Sequence, residues 1–251
     1  MPTPFMHLYM AERVLADDRV ADELSTLLRS ELSAFYFGNV APDFQVIADV
    51  KRQETHFYPI PAEIGDYGAF ERMQAAYPQF ADPAGLSRRE AVMTAAYGAH
   101  LIYDLVWNHH ILAPCFLDQE WGTPLERFTA HVVLLAYLDR VSLRELPESA
   151  EGVLEAAVFE GWLPFDGEGK LAEWQELLVA QLRPEGEAQT IEIFASRLRM
   201  EPAAFSANLN DPDWMAEHVF QHASLAHVAE VDQLALTKSV ALLVDYLRPL
   251  F

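Results

Sequence analysis

Apolar residues recur along most of this chain at the three- and four-residue spacing of amphipathic helices, with charged residues between them. Runs of alternating β-branched residues followed by hairpin turns, which would predict strands, are sparse. We therefore predict an all-α fold, a bundle of many helices. The predicted helical segments lie near residues 4–30, 87–110, 123–140, 148–160, 170–182, 186–199, 211–230 and 232–247.

Two capping boxes mark the starts of two of these helices. Ser87 is followed three residues later by Glu90, and Thr123 is followed three residues later by Glu126. In such a pair each side chain can accept a hydrogen bond from the other residue's backbone N–H at the start of a helix. The helix that begins at Ser87 is predicted to end at about His110.

The lengths of the predicted turns favour one domain. The turns at 165–170 and 183–188 are too short to be linkers, and neither an internal repeat nor a low-complexity tract is present. We expect a single all-helical domain over residues 1–251. Its 1–115 part carries the candidate chemistry, and its 116–251 part is helical.

Composition restricts the partners of the protein. The chain has 251 residues, of which 51% are apolar and 22% charged, as in a globular protein with a large core. Its 17 Lys and Arg against 38 Asp and Glu give a net charge of −21. Such a surface repels phosphate backbones and anionic lipid, so we expect neither nucleic-acid binding nor stable membrane insertion. The oligomeric state is not predicted.

The single cysteine, Cys115, excludes an internal disulfide and suits a reducing compartment. It lies in an apolar stretch, and we expect it to pack as a small apolar residue. The first residues do not show a basic segment followed by an apolar run and a small-residue cleavage site, and apolar runs long enough for a membrane span are missing. We therefore expect a cytoplasmic protein.

The most informative stretch is AYGAHLIYDLVWNHH, residues 96–110. His100 and Asp104 are four residues apart, so on a helix they share one face, with Cβ atoms about 5–6 Å apart. An imidazole and a carboxylate placed in this way can bind one metal ion. The alternative is a hydrogen bond between His100 and Asp104 inside a helix interface.

Three more residues favour the metal. His7 lies near the start of the chain, Asp43 follows Pro42 in an apolar turn, and His56 stands between Thr55 and Phe57. Nitrogen and oxygen ligands of these types suit zinc, and also manganese or iron. The candidate ligands, in order, are His7, Asp43, His56, His100, Asp104 and His110.

This order of residues resembles the zinc-dependent phospholipase C family, which is related to the S1/P1 nucleases. The resemblance rests on an early His, a G-x-x-A-P-D turn, a T-H-F segment and a helix carrying G-x-H-x-x-x-D. It implies an all-helical fold around a cluster of two or three zinc ions. It also implies that Asp43, His56, His100 and Asp104 hold one ion, and that Asp104 bridges to a second ion held partly by His7.

The last metal of the family is where this chain departs from the pattern. The resemblance assigns His110 to a further ion, which the family completes with a His and a Glu four residues apart. Here the next histidine is His131, and Leu135 stands four residues after it. We therefore expect two zinc ions, and we expect His131 to be a core residue. His109 points about half a turn away from His100 and is expected to be a surface or capping residue at the end of the helix.

A later segment offers substitutes for the missing ligands. His218 and His222 are four residues apart in DPDWMAEHVFQHASLAHVAEVDQL. One interpretation places them at the boundary of an amphipathic helix. The other makes them replacement ligands for the ion near His110.

The ligand set favours hydrolysis of a phosphate ester, most simply a phosphodiester, by metal-activated water. Asp43 is the candidate catalytic residue that orients or deprotonates this water. The resemblance implies a small phosphate ester or a phospholipid head group as substrate. Phosphohydrolases of the HD type are disfavoured because the chain has no His-Asp dipeptide. The remaining alternative is a catalytically degenerate metal-binding scaffold or sensor.

Overall fold

The computed structural model describes residues 1–166, 169–183 and 189–251. These residues form α-helices with short 3-10 and π-helical segments and contain no strand, which confirms the all-α prediction. The α-helices are α1 (Pro4–Leu15), α2 (Asp22–Ser30), α3 (Leu32–Val40), α4 (Arg52–His56), α5 (Ala69–Ala76), α6 (Arg88–Trp107), α7 (Pro124–Glu145), α8 (Ala150–Glu155), α9 (Lys170–Leu182), α10 (Thr190–Leu198), α11 (Pro202–Asn210), α12 (Pro212–Met215) and α13 (Leu225–Leu247).

Helix α6 is the centre of the fold. Both predicted capping boxes are present, and the first one starts α6 at Ser87. Every residue from Ala91 to Trp107 is buried, and α6 packs against α3 and α13. Gly38 allows the close approach of α3, since a Cβ atom at Gly38 would lie 2.3 Å from the carbonyl oxygen of Met93. An apolar helix buried on all sides is thus the frame that carries His100 and Asp104.

The end of α6 differs from the prediction. The α-helix stops at Trp107, and a π-helical segment, Asn108–Leu117, continues in its place beyond His110 and through Pro114. Pro114 has no N–H to donate, so regular α-helical hydrogen bonds cannot continue through it. The chain continues with π-helical hydrogen bonds instead of ending in a turn.

Other boundaries also differ. The segment predicted over 4–30 is two helices, α1 and α2, and the break predicted near 231 lies instead before Ser224, whose side chain caps α13. Helices α5 and α11 were not predicted. The turns predicted at 165–170 and 183–188 and the start of the 186–199 helix lie partly outside the described residues. Among the described residues, no helix is long and apolar enough to cross a membrane.

Candidate metal centre

The side chains of His56 and His100 are buried, and the Nε2 atoms of the two imidazoles point toward each other. The Nδ1 atom of His100 lies 2.8 Å from the carbonyl oxygen of Asn39, which only accepts, so Nδ1 carries the proton. The Thr55 hydroxyl donates to the carbonyl oxygen of Arg52, so its Oγ1 accepts a hydrogen bond from the Nδ1–H of His56, 2.8 Å away. Both Nε2 atoms are then unprotonated, and they lie 3.4 Å apart. Two acceptors at this distance repel each other unless a cation lies between them.

Two carboxylates complete the surroundings of these nitrogens. Asp43 Oδ1 lies 3.4 Å from His56 Nε2, and Asp104 Oδ2 lies 3.5 Å from the same atom and 3.9 Å from His100 Nε2. Ligands about 2.0–2.1 Å from a tetrahedral zinc ion lie about 3.3 Å from one another. The spacing of the ligand atoms therefore fits zinc. Asp43, His56 and His100 form one group of potential ligands, which we call group A.

A second group, group B, consists of His7, His100 and Asp104. His7 Nε2 lies 3.5 Å from Asp104 Oδ1, and neither atom has a hydrogen-bond partner although both are buried. The ring of His7 stacks on that of His100, with centroids 3.6 Å apart. Because Asn39 occupies His100 Nδ1, His100 offers one nitrogen and can serve only one ion at a time. If two ions bind, His7 and Asp104 are left for the second.

The electrostatics of the cluster favour neutral imidazoles and ionised carboxylates. Burial, together with the nearby His7, lowers the pKa of His100 to about 3. Burial and the neighbouring Arg52 also lower the pKa of His56. Burial alone would raise the pKa of Asp104, but the Arg52 guanidinium and the neighbouring histidines together outweigh burial and hold that pKa well below its usual range. His56, His100 and Asp104 are thus in the protonation states that bind a metal.

Asp43 is also ionised. Burial alone would raise the pKa of this carboxyl, but the contact with His56 and the electrostatic effect of the neighbouring His100 outweigh burial and lower the pKa to about 2. Asp43 belongs to a 3-10 segment, Ala41–Val46, that follows α3 directly. Pro42 fixes the first turn of this segment, which places the carboxylate against α4.

Arg52 and Tyr58 belong to the site, and the sequence analysis did not identify them. Arg52 Nη2 donates to Asp104 Oδ2 and, over 2.6 Å, to the hydroxyl of Tyr58. That hydroxyl donates in turn to Asp104 Oδ2 over 2.9 Å. A signal was available, because Arg52 stands four residues before His56 and therefore shares its helix face.

The structure does not bring His110 into either group. Its Nε2 atom lies 3.1 Å from the hydroxyl of Tyr67, and burial lowers its pKa. His109 Nε2 contacts the carbonyl oxygen of Asp66, 2.8 Å away. His131 is buried, as predicted, and accepts a hydrogen bond from the indole of Trp107.

The later histidines pack against tryptophans. His222 stacks on Trp121 with ring centroids 3.7 Å apart, and His218 lies against Trp214. Within the described residues, the groups of three potential ligands contain neither of these histidines. His218 and His222 therefore do not form such a group with His110. Cys115 is a free, partly buried thiol, and burial raises its pKa.

A mainly apolar cavity of about 300 Å³ begins at the cluster. Asp43 and Arg52 line it on the side of the candidate ligands, and Arg197 lines it from α10. Helices α7, α9 and α10 provide half of the apolar lining residues. Its apolar lining residues include Phe5, Leu112, Phe128, Val132, Leu135, Trp174, Leu178, Ile193 and Phe194.

An all-helical frame that holds a buried His/Asp cluster beside a cavity is compatible with a metal-dependent hydrolase. The sequence model of the family described as zinc-dependent phospholipase C matches residues 6–176, which is more than half of the chain. The chain therefore belongs to the zinc-dependent phospholipase C family. No curated protein and no solved structure shows a significant match.

Proposed function

We propose that this protein hydrolyses phosphodiesters with zinc held by His7, Asp43, His56, His100 and Asp104. The observation that carries the proposal is the pair of opposed Nε2 lone pairs, 3.4 Å apart, beside two carboxylates. Hydrogen bonds fix both rings in this orientation, so the arrangement is built for a cation and not for a hydrogen bond. Group A then holds one ion, and His7 with Asp104 holds the second.

Zinc bound by these residues would supply Lewis acidity toward phosphate and a water that is acidic near neutral pH. The chain provides the remaining functions. One oxygen of Asp43 lies among the candidate ligand atoms, and its other oxygen is free to orient the attacking water and to accept its proton. The water oxygen bonds to phosphorus, the ester P–O bond breaks, and the leaving oxygen takes a proton from solvent.

The cavity favours a substrate that has an apolar part. Most of its wall is apolar, whereas the end near the candidate ligands carries Asp43 and Arg52. A phospholipid head group at the ligands would leave its apolar portion along α7, α9 and α10. The family assignment supports the same substrate class.

The test combines metal analysis with turnover. Protein purified without chelator should contain more than one zinc ion per chain and should hydrolyse phosphodiesters, including phospholipids. Asp43→Asn keeps the shape but removes the charge, and turnover should fall about 100-fold or more at equal zinc content. The exposed Asp18 is not part of the site, so Asp18→Asn serves as the control. Fully loaded wild-type protein that hydrolyses none of these esters would contradict the proposal.

A second candidate function is a metal-dependent binding protein without turnover. The observation that favours it is the position of His110, His218 and His222, none of which joins the cluster. The same turnover assay separates the two candidates, because a binding protein would retain zinc and remain inactive.

A further inference from the structure

We propose that Arg52 is the phosphate-binding residue of this site and that its Nη1 donates to a non-bridging oxygen of the substrate phosphate. The inference rests on the proposed function, since it concerns the same site. It adds an anion-binding group that is distinct from the candidate metal ligands. The class of ligand that it binds is a phosphate ester or another tetrahedral oxyanion.

The two arms of the guanidinium differ in their partners. Nη2 is satisfied, because it donates to Asp104 and to Tyr58. Nη1 is buried and has no hydrogen-bond partner. Neutralising Asp104 requires only the Nη2 arm, so the second donor remains available. A buried donor without a partner costs stability, and a ligand oxygen would remove that cost.

The position of Arg52 suits this role. Arg52 lines the cavity, as Asp43 does, and its Nη2 atom contacts Asp104 of group B. A phosphate at the candidate ligands therefore lies within the reach of the guanidinium. The ring of Tyr58 lies 4.7 Å from Arg52 Cζ and holds the plane of the guanidinium. A planar guanidinium fixed in this way holds the Nη1 donor in one direction toward a phosphate oxygen, whereas a lysine would act only as a point charge.

The charge of the cavity supports an anion site. The protein carries a net charge of −21, yet two arginines, Arg52 and Arg197, line this one cavity. Arg197 Cζ lies 5.7 Å from the ring of Phe194 and provides positive charge in the same cavity. It is therefore a matched control. If only the positive charge of the cavity matters, changing either arginine should weaken phosphate binding to a similar degree. If Arg52 contacts the phosphate directly, only changes of Arg52 should weaken it strongly.

The experiment measures binding of inorganic phosphate to zinc-loaded protein by calorimetry, with zinc content determined on each sample. Arg52→Met should keep zinc and weaken phosphate binding about 10- to 100-fold, the effect of losing a charged hydrogen bond. Arg52→Lys should weaken it less, because the charge remains without the planar guanidinium. Arg197→Met should change the affinity less than about 3-fold, because its guanidinium is not assigned to the phosphate.

Several results would overturn the proposal. These are phosphate binding by Arg52→Met equal to wild type, equal losses in Arg52→Met and Arg197→Met, or no phosphate binding by the wild type. Loss of zinc or of folding in both Arg52 variants would assign the residue to holding Asp104 alone. Failure of the proposed function would give a different experimental result. A protein that hydrolyses no ester, yet loses phosphate binding only when Arg52 is changed, would retain the anion site without the activity.

Discussion

Thr55 shows how one neighbouring side chain orients a candidate metal ligand. Its hydroxyl donates to the carbonyl oxygen of Arg52 and accepts from His56, which leaves His56 Nε2 free to bind a cation. Partners of this kind fix the tautomer and the orientation of a metal-binding imidazole. The sequence pointed to the T-H-F segment, but only the structure shows what the threonine does.

Thr55→Val removes this hydroxyl at nearly constant shape. We expect zinc affinity to fall about 10- to 100-fold, because His56 loses the acceptor that fixes its tautomer. Competition with a chromophoric chelator measures the affinity. Thr94→Val is the control, since the buried Thr94 accepts from Trp162 and belongs to neither ligand group. Equal zinc affinities for Thr55→Val and wild type would disprove the role of Thr55.

At the scale of elements, the crossing of α3 and α6 positions the site. Asn39, which orients His100, follows Gly38 directly, so the close contact of the two helices also places a partner of the imidazole. The capping boxes and the apolar periodicity were sufficient to predict α6. They could not predict this contact, because closeness of two backbones depends on tertiary packing and leaves little trace in periodicity.

Gly38→Ala tests the crossing. The added Cβ would lie 2.3 Å from the carbonyl oxygen of Met93 and 2.7 Å from the Cβ of Ala96, so α3 has to move. We expect the free energy of unfolding to fall by about 1–3 kcal/mol, as for other overpacked cores. Gly152→Ala in α8 meets nothing within 4 Å and should stabilise the protein by about 0.5–1 kcal/mol. Urea unfolding of both variants and of the wild type measures these free energies. Similar changes in the two variants would contradict the expectation.

A buried carboxyl joins three elements next to the cavity, since its partners Thr3 and Thr190 line the cavity. Asp139 of α7 accepts hydrogen bonds from Thr3, which precedes α1, and from Thr190 of α10. Burial raises the pKa of Asp139 from 3.8 to about 6, although both hydroxyls oppose the shift. Between these two values the folded protein binds more protons than the unfolded chain. The contribution of Asp139 to the stability of the fold is therefore greatest below the pKa of the unfolded chain. It is lost as the pH rises through the pKa of the folded protein.

Asp139→Asn removes this titration and keeps the shape. The stability of the variant relative to wild type should rise from pH 4 to pH 6 by roughly 1–3 kcal/mol and then stay constant. Urea unfolding of both proteins in chelator, at several pH values, measures the difference. A difference that does not depend on pH would exclude a raised pKa for Asp139.

For the whole molecule, the candidate ligands come from four separate elements of the first 104 residues. Order and residue type identified His7, Asp43, His56, His100 and Asp104, because each residue type is chemically informative. Sequence order did not show that His110 lies outside both ligand groups. On a regular helix it would already lie about 80° around the axis from His100, and the π-helical segment changes its direction again.

A cluster drawn from distant segments couples metal binding to folding. Chelation should lower the melting temperature by roughly 10 °C, because zinc binds the folded state alone, and added zinc should restore it. His100→Ala should melt like the chelated protein and should not respond to zinc. Calorimetry with and without chelator is the measurement. The same melting curve before and after complete zinc removal would contradict the coupling.

Part of the cavity wall lies outside the segment that the family model matches, whereas both ligand groups lie inside it. The family match ends at residue 176, whereas Leu178, Ile193 and Phe194 of the wall lie beyond it. Changing these positions would reshape the space offered to a ligand while every histidine and aspartate of the two groups keeps its place. The shape of the cavity and the two ligand groups can therefore be varied independently of each other by protein engineering.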